Sequence, residues 1–303
     1  MPNYQKSQFS IFANLGVVYI VWGSTFLGVK YTIEVLPPLL TSSLRFLIGG
    51  AILFSFSLLK GQSIPKRPQI RAAATIGFFL TGVGTTVVAY AIKYMPTGLV
   101  AMLVATLPVW MILMDYWFFA KIKPNWLTFV GLTVGLIGLI VLINPFGNLN
   151  SNEIVIWPTI LVLIGSVSWA YGSLLSPYLS LPNQLQSTAI QMITGGILAT
   201  IASFIFEPNA LSQIPKMTTQ TYMSLGYLIF IGSLIGYSSY TWLVKNAPPS
   251  LLATYAYVNP VVAMILGWLF IGEKLSSKTI IASFIVLFGV ILITFGRRKK
   301  ILE

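Results

Sequence analysis

The sequence predicts an all-α integral membrane protein, with ten transmembrane helices arranged as two inverted five-helix repeats. Three observations carry that expectation. The chain nearly repeats itself after half its length: Pro96 and Pro108 recur as Pro248 and Pro260, Lys93 as Lys245 and Ala101 as Ala253, each 152 residues later. Gly49-Gly50 recurs as Gly195-Gly196 at an offset of 146, and Trp22 as Trp169 at 147. Composition is the second: 56% of residues are hydrophobic and 8% charged, with a mean hydropathy of +0.85, where a soluble domain carries about 25% charged residues. The third is the placement of the basic residues, which collect on one side once the spans are laid out.

A span needs about 20 apolar residues, and proline punctuates the chain at that spacing because it ends or starts helices. The first span, 11–33, runs up to Pro37-Pro38, where the second, 38–59, begins. Pro65 precedes the third, 70–92, and Pro96 parts it from the fourth, 97–119. Pro124 opens the fifth, 125–144, and Pro145 closes it. The sixth covers 155–176; Pro182 precedes the seventh, 185–206, which Pro208 ends. The eighth, 221–243, stops before Pro248-Pro249, which open the ninth, 249–271; the tenth is 279–296. The repeats are thus 11–144 and 155–296. The first span is longer than a signal-peptide core and has no clear small-x-small cleavage site before Glu34, so it is expected to be retained.

With the N-terminus in the cytoplasm, twelve of the 18 basic residues fall on inside segments and four outside, with Lys30 and Arg45 within spans. That split obeys the positive-inside rule and places both termini in the cytoplasm of a bacterial-type inner membrane. Five spans per half is an odd number, so the second half enters from the opposite side, the construction that lets one central site open alternately to either face. The net charge of +12 is spread over separate loops, which argues against a nucleic-acid partner. Without Cys or His, disulfides, thiolate chemistry and histidine metal sites or proton relays are excluded. No acidic cluster offers a metal site and no phosphate-binding glycine loop is present. No cofactor is expected. The partners are a small-molecule solute and the lipid bilayer, and the chain works as a monomer or homodimer.

Trp22-Gly23-Ser24-Thr25, then Ser43-Leu44-Arg45-Phe46 followed by Gly49-Gly50, and Pro248-Pro249 through Ala253, Asn259-Pro260 and Gly272-Glu273 resemble the EamA family of the drug/metabolite transporter superfamily. The resemblance covers both repeats. It implies a ten-helix carrier of small organic solutes, commonly an exporter of amino acids or related metabolites. Two places depart from the doubled pattern: Ala120-Lys121 stands where the second half has Gly272-Glu273, and Gln191 where the first has Arg45.

The candidate solute-binding residues are the polar and aromatic side chains inside spans: Trp22, Thr25, Arg45, Tyr90, Trp169, Tyr171, Gln191, Tyr237, Tyr255 and Asn259, with Tyr240 and Tyr257 beside them. Several lie deeper than the interfacial belts where Trp and Tyr usually collect. Aromatic faces with a few donors suit an amphipathic neutral or zwitterionic solute. Arg45, about 10 Å below its helix end, reads either as an anchor for a substrate carboxylate or as a structural partner of Glu34. Asp115 is a candidate proton carrier, or else a partner for Lys121 and Lys123. Pro108 and Pro260, at matching mid-span positions, are candidate gating bends or passive kinks. Gly131-x-x-x-Gly135 and Gly232-x-x-x-Gly236 suit close helix packing, the first within the bundle or between subunits. The readings from other classes are an integral-membrane enzyme acting on lipid-linked substrates, which this chain's scattered acids serve poorly, and a solute channel.

Overall fold

A computed structural model describes residues 8–91, 94, 100, 103–121, 123–143, 156–271 and 277–298. Lys6, Lys93, Pro96, Ala101, Pro145, Gly272, Glu273, Lys274, Lys299 and Lys300 lie outside the described residues. The long helices are α1 (Gln8–Ile33), α2 (Pro38–Leu59), α3 (Arg67–Ala91), α4 (Leu107–Phe118), α5 (Trp126–Ile143), α6 (Ile156–Leu175), α7 (Gln184–Phe206), α8 (Thr219–Asn246), α9 (Tyr255–Ile271) and α10 (Ser277–Arg298). A one-turn helix, Pro249–Leu252, leads into α9. Among the described residues, six helices (α1, α2, α3, α6, α7 and α8) are long and apolar enough to cross a bilayer; α4 and parts of α5 and α10 form shorter apolar helices.

Capping chemistry sets several starts. Pro38 opens α2 with its missing N–H at a position where no partner is needed. The next two amides, of Leu39 and Leu40, donate to Glu207 Oε1 and Oε2 at 3.0 Å each. A buried carboxylate thus caps a helix N-terminus from the end of α7, where the helix dipole favours it. Asn183 and Thr218 cap α7 and α8, accepting from Gln186 N and Thr221 N.

In α3 and α8 the ladder loosens to i→i+5 bonding, over Phe78–Thr85 and Leu228–Tyr237. Hydroxyls reach five residues back in both: Thr85 Oγ1 donates to Leu80 O, and Ser233 Oγ to Leu228 O. Such widened turns concentrate at functional sites.

Packing pairs α2 with α7 and α5 with α10, while α1 lies against α8 and α9, and α6 against α3 and α4. Glycines permit the close crossings. A Cβ on Gly50 would lie 3.0 Å from Ala189 O, and one on Gly196 2.8 Å from Leu47 N. A Cβ on Gly131 would lie 2.7 Å from Gly289 O of α10, and one on Gly135 2.8 Å from the Tyr257 ring of α9, so this motif packs inside the bundle. The outward faces carry Phe56, Phe204, Ile205, Phe284 and Phe288, as a lipid solvent requires.

The two mid-span prolines differ. Pro108 sits in the first turn of α4, just after a turn at Ala105-Thr106, so in this half the helix is broken rather than bent. In the other half the turn comes at Ala253-Thr254, and Pro260 lies inside continuous α9. Proline is strain-free at a helix start and removes a hydrogen bond from an interior, so equal sequence positions give unequal joints.

Candidate functional site

A cavity of about 210 Å³ lies among α1, α2, α3, α4, α6, α8 and α9. Trp22 and Trp169, at equivalent points of the repeat, meet at its wall edge to face, ring centroids 5.8 Å apart at 75°. Trp22 stacks on Tyr240 at 5.0 Å and meets Tyr255 edge-on at 5.1 Å. The Trp22 indole N–H donates to Gly232 O at 3.2 Å, a carbonyl in the widened segment of α8. The Trp169 indole donates to the Tyr240 hydroxyl, which also bonds Ser173. Tyr240 is fully buried, so the two tryptophans stand on a tyrosine whose own polar group is satisfied.

Room for these rings comes from glycine. A Cβ on Gly236 would lie 2.7 Å from Trp22 Nε1, and one on Gly84, its equivalent in α3, 3.1 Å from Trp169 Cε3. The Gly232-x-x-x-Gly236 pair therefore receives side chains instead of a neighbouring backbone: a Cβ on Gly232 would lie 2.9 Å from both Arg45 Nη2 and Thr25 Cγ2.

Arg45 lines the same cavity. Its Nε donates to Ser233 Oγ at 2.6 Å, and its guanidinium carbon lies 5.3 Å from the Phe46 ring centre. The Ser233 hydroxyl in turn donates to Leu228 O. Glu34, the alternative partner, is exposed beyond the end of α1. Asn259, with its amide nitrogen toward two carbonyls, donates to Tyr255 O at 3.1 Å and Tyr19 O at 3.3 Å. Thr25, Tyr237 and Tyr255 complete the expected residues on this wall. Phe46, Thr85 and Ser166 join them; Phe46 belongs to the segment beside Arg45 that carries the family resemblance, and nothing in the sequence pattern marked the other two, because small hydroxyls are common in any span.

Four expected residues lie elsewhere. Gln191 is buried beneath the wall: its Oε1 accepts from the Tyr237 hydroxyl at 2.9 Å, its Nε2 donates to Ser187 Oγ at 3.0 Å, and its backbone carbonyl accepts from Thr81 Oγ1 at 2.7 Å. Tyr90 joins Tyr94, Trp157 and Phe206 in an aromatic cluster at the opposite end of the bundle from Lys121. Tyr171 packs on Phe79 and Phe119 and lines a different hollow on the outer side of α6. Asp115 is half-buried near the end of α4, where Oδ1 accepts from Ala120 N at 3.4 Å, away from the cavity wall. Among the described residues no cluster of three metal-ligating side chains occurs.

Buried apolar side chains close around one end of the helices that line the cavity. One buried cluster joins Ile11, Leu15 and Val18 of α1 to Met111 of α4, Leu243 and Val244 of α8, and Leu251 and Leu252. The Tyr19 hydroxyl bonds Thr254 Oγ1 there, at the turn that precedes α9. What this arrangement can do chemically is bind: a fixed cation, a few donors and aromatic faces, without a nucleophile–base pair on the wall.

The EamA-like transporter family matches the chain twice, over residues 10–144 and 156–295. A relative named as an uncharacterized inner membrane transporter, YedA of Escherichia coli (strain K12), is 38% identical over 95% of this chain and 91% of its own. A probable amino-acid metabolite efflux pump of Salmonella typhimurium is 24% identical over 94% of each chain. A solved crystal structure superposes with a TM-score of 0.79 at 19% identity, covering 96% of this chain and 99% of that one, which shows a shared fold.

Proposed function

We propose, from the premise that this chain belongs to the EamA-like transporter family, that it is a secondary carrier moving amino acids or related metabolites outward across the cytoplasmic membrane by alternating access. The observation that carries this is the meeting of Trp22 and Trp169, equivalent residues of the two halves, at the wall of one cavity that Arg45 and Asn259 also line. Arg45 is the anchor for a solute carboxylate, pre-aimed by Ser233. The aromatic faces take the apolar part of the solute. A volume of about 210 Å³ lies below the 300–1,000 Å³ of drug-sized sites, so a metabolite fits better than a drug. The name of the Salmonella relative supports the amino-acid class and export.

Ten spans in two inverted halves, 11–144 and 155–296, with both termini cytoplasmic, account best for contacts that recur with partners exchanged. Trp22 lies against Gly236 of α8, and Trp169 against the equivalent Gly84 of α3. The Arg45 side chain of α2 donates to Ser233, and at the equivalent place the backbone carbonyl of Gln191 in α7 accepts from Thr81. With the basic loops inside, the apolar closure at the start of α1 is cytoplasmic. This conformation then faces outward, and the turns at Ala105-Thr106 and Ala253-Thr254, beside Pro108 and Pro260, are the joints that let it reverse. The carrier acts as a monomer or homodimer.

Reconstitution in liposomes tests this. Preloaded unlabelled amino acid is expected to accelerate uptake of labelled amino acid, and Trp22→Ala or Trp169→Ala to weaken it by about tenfold, the scale of losing an aromatic contact of about 1.4 kcal/mol. Uptake without counterflow would indicate a channel, and a new compound an enzyme; unchanged kinetics in both variants would remove the cavity from the path.

A further inference from the structure

A second hollow, of about 700 Å³, lies between α3, α4 and α6 and is larger than the central cavity. Along α6 it is lined by Ile160, Ile164, Val167 and Tyr171. Spacings of four, three and four place these on one helical face, and Gly165, Ser166 and Trp169, which line the central cavity, on the opposite one. Helix α6 therefore separates the two spaces. Phe78 of α3 and Ile160 and Ile164 of α6 are each about half exposed, so the hollow is a groove open sideways at hydrocarbon depth. From Ile160 to Tyr171 it extends about 16 Å at 1.5 Å per residue, over the middle of α6 and so across the midplane of a core about 30 Å thick.

Among the described residues, the equivalent helices of the other half pack more closely at one point. At the equivalent place, α9 closes directly on α1: a Cβ on Gly23 would lie 2.6 Å from Val262 Cβ. At the groove, Ala170 of α6 and Trp110 of α4 stand at those two positions, and Trp110 and Met114 form the far wall of the groove instead.

Charge marks one end. Arg71 and Thr75 continue the exposed face of α3 below Phe78, putting the guanidinium about 10 Å beyond the groove. Lys121 and Lys123, both exposed, follow α4 at the same end. The acid there, Asp115, is half-buried and accepts from the Ala120 amide. At the other end α6 begins with apolar Ile156 and Trp157. An apolar slot about as long as an acyl chain, with Arg71 about 10 Å beyond one end and Lys121 and Lys123 following α4 on that side, matches a phospholipid with a negative headgroup.

We propose that the groove between α3, α4 and α6 binds one acyl chain of an anionic bilayer phospholipid, whose phosphate is held at the level of Arg71, Lys121 and Lys123. The site is separate from solute binding and rests only on the chain's residence in a membrane. Native mass spectrometry of the purified full-length protein tests it, with dioleoylphosphatidylglycerol, dioleoylphosphatidylcholine and glycerol phosphate as probes. One phosphatidylglycerol per chain is expected to be retained at about tenfold lower lipid concentration than phosphatidylcholine, a preference that the triple variant R71Q/K121Q/K123Q abolishes. Ile164→Trp, and independently Ile160→Trp, should fill the slot and lower retention while unfolding temperature without lipid stays within a few degrees of wild type. Equal retention of both lipids would mean only an unselective lipid annulus. Retention that survives both groove-filling variants, or displacement by glycerol phosphate as effective as by the lipid, would overturn the acyl-chain site. If one tryptophan variant unfolds, the other decides.

Discussion

Arg45 and Gln191 occupy the same point of the repeat, on two helices that cross each other, and do opposite things. Arg45 turns to the cavity and is steadied by Ser233 of α8. The Gln191 side chain turns into protein, where it accepts from the Tyr237 hydroxyl, while its backbone carbonyl accepts from Thr81 of α3. Thr81 and Ser233 are themselves equivalent, 152 residues apart. The scaffold around the two positions is thus alike, and the chemistry is not. On the proposed reading, duplication supplied a symmetric frame for alternating access, while a single unlike side chain gave the cavity one charged wall. A solute in that cavity would meet a cation from one half and aromatic rings from both.

That comparison can be broken most forcefully at the frame. Gly50→Leu and Gly196→Leu each push a side chain into the backbone of the crossing partner and should cost about 3 kcal/mol apiece, near the upper end for overpacking. Thermal unfolding in detergent reads this, and a large loss at one position only would show that the two crossings are not equivalent. The next effect is chemical. Arg45→Gln, which copies the second half, should weaken binding of an acidic or zwitterionic solute by about 10- to 100-fold, the value of about 1.5–3 kcal/mol for a hydrogen bond to a charged group. Gln191→Ala should cost only about fivefold, since it frees the Tyr237 hydroxyl without removing a solute contact. Equal losses in a solute-induced thermal-shift titration would erase the distinction. The smallest effect is expected at Asp115→Asn: the carboxylate bonds a backbone amide near the end of α4, so pH-driven uptake in liposomes should persist, with unfolding changed by less than about 1 kcal/mol. Loss of pH-driven uptake would restore Asp115 as the proton carrier.

The apolar segments and their proline boundaries were legible in the sequence, because a bilayer demands length and apolarity that composition records directly. Trp22, Trp169, Arg45, Tyr255 and Asn259 could be picked out because polar or aromatic groups inside a span are rare and repeat at a fixed offset. Tyr171 and Tyr90 looked the same by that criterion and lie elsewhere. A tyrosine facing a cavity, a lateral groove or the interface carries no local mark of which it faces. The widened turns of α3 and α8 also left no periodic trace; their signature, a glycine pair beside a hydroxyl, is shared with ordinary packing motifs.

The sequence by itself determined that this chain belongs in a membrane, that it is doubled, and which residue types its interior can offer a solute. Only the tertiary structure decided which of those residues share a cavity, that Gln191 supports a neighbour instead of facing solute, and that the glycines of α8 make room for Trp22 and Arg45. The physical reason is the solvent. Lipid is as apolar as a protein core, so a membrane helix can be hydrophobic all round and its hydrophobic pattern does not say which face turns inward. That information resides in the fit between helices, which exists only once they pack.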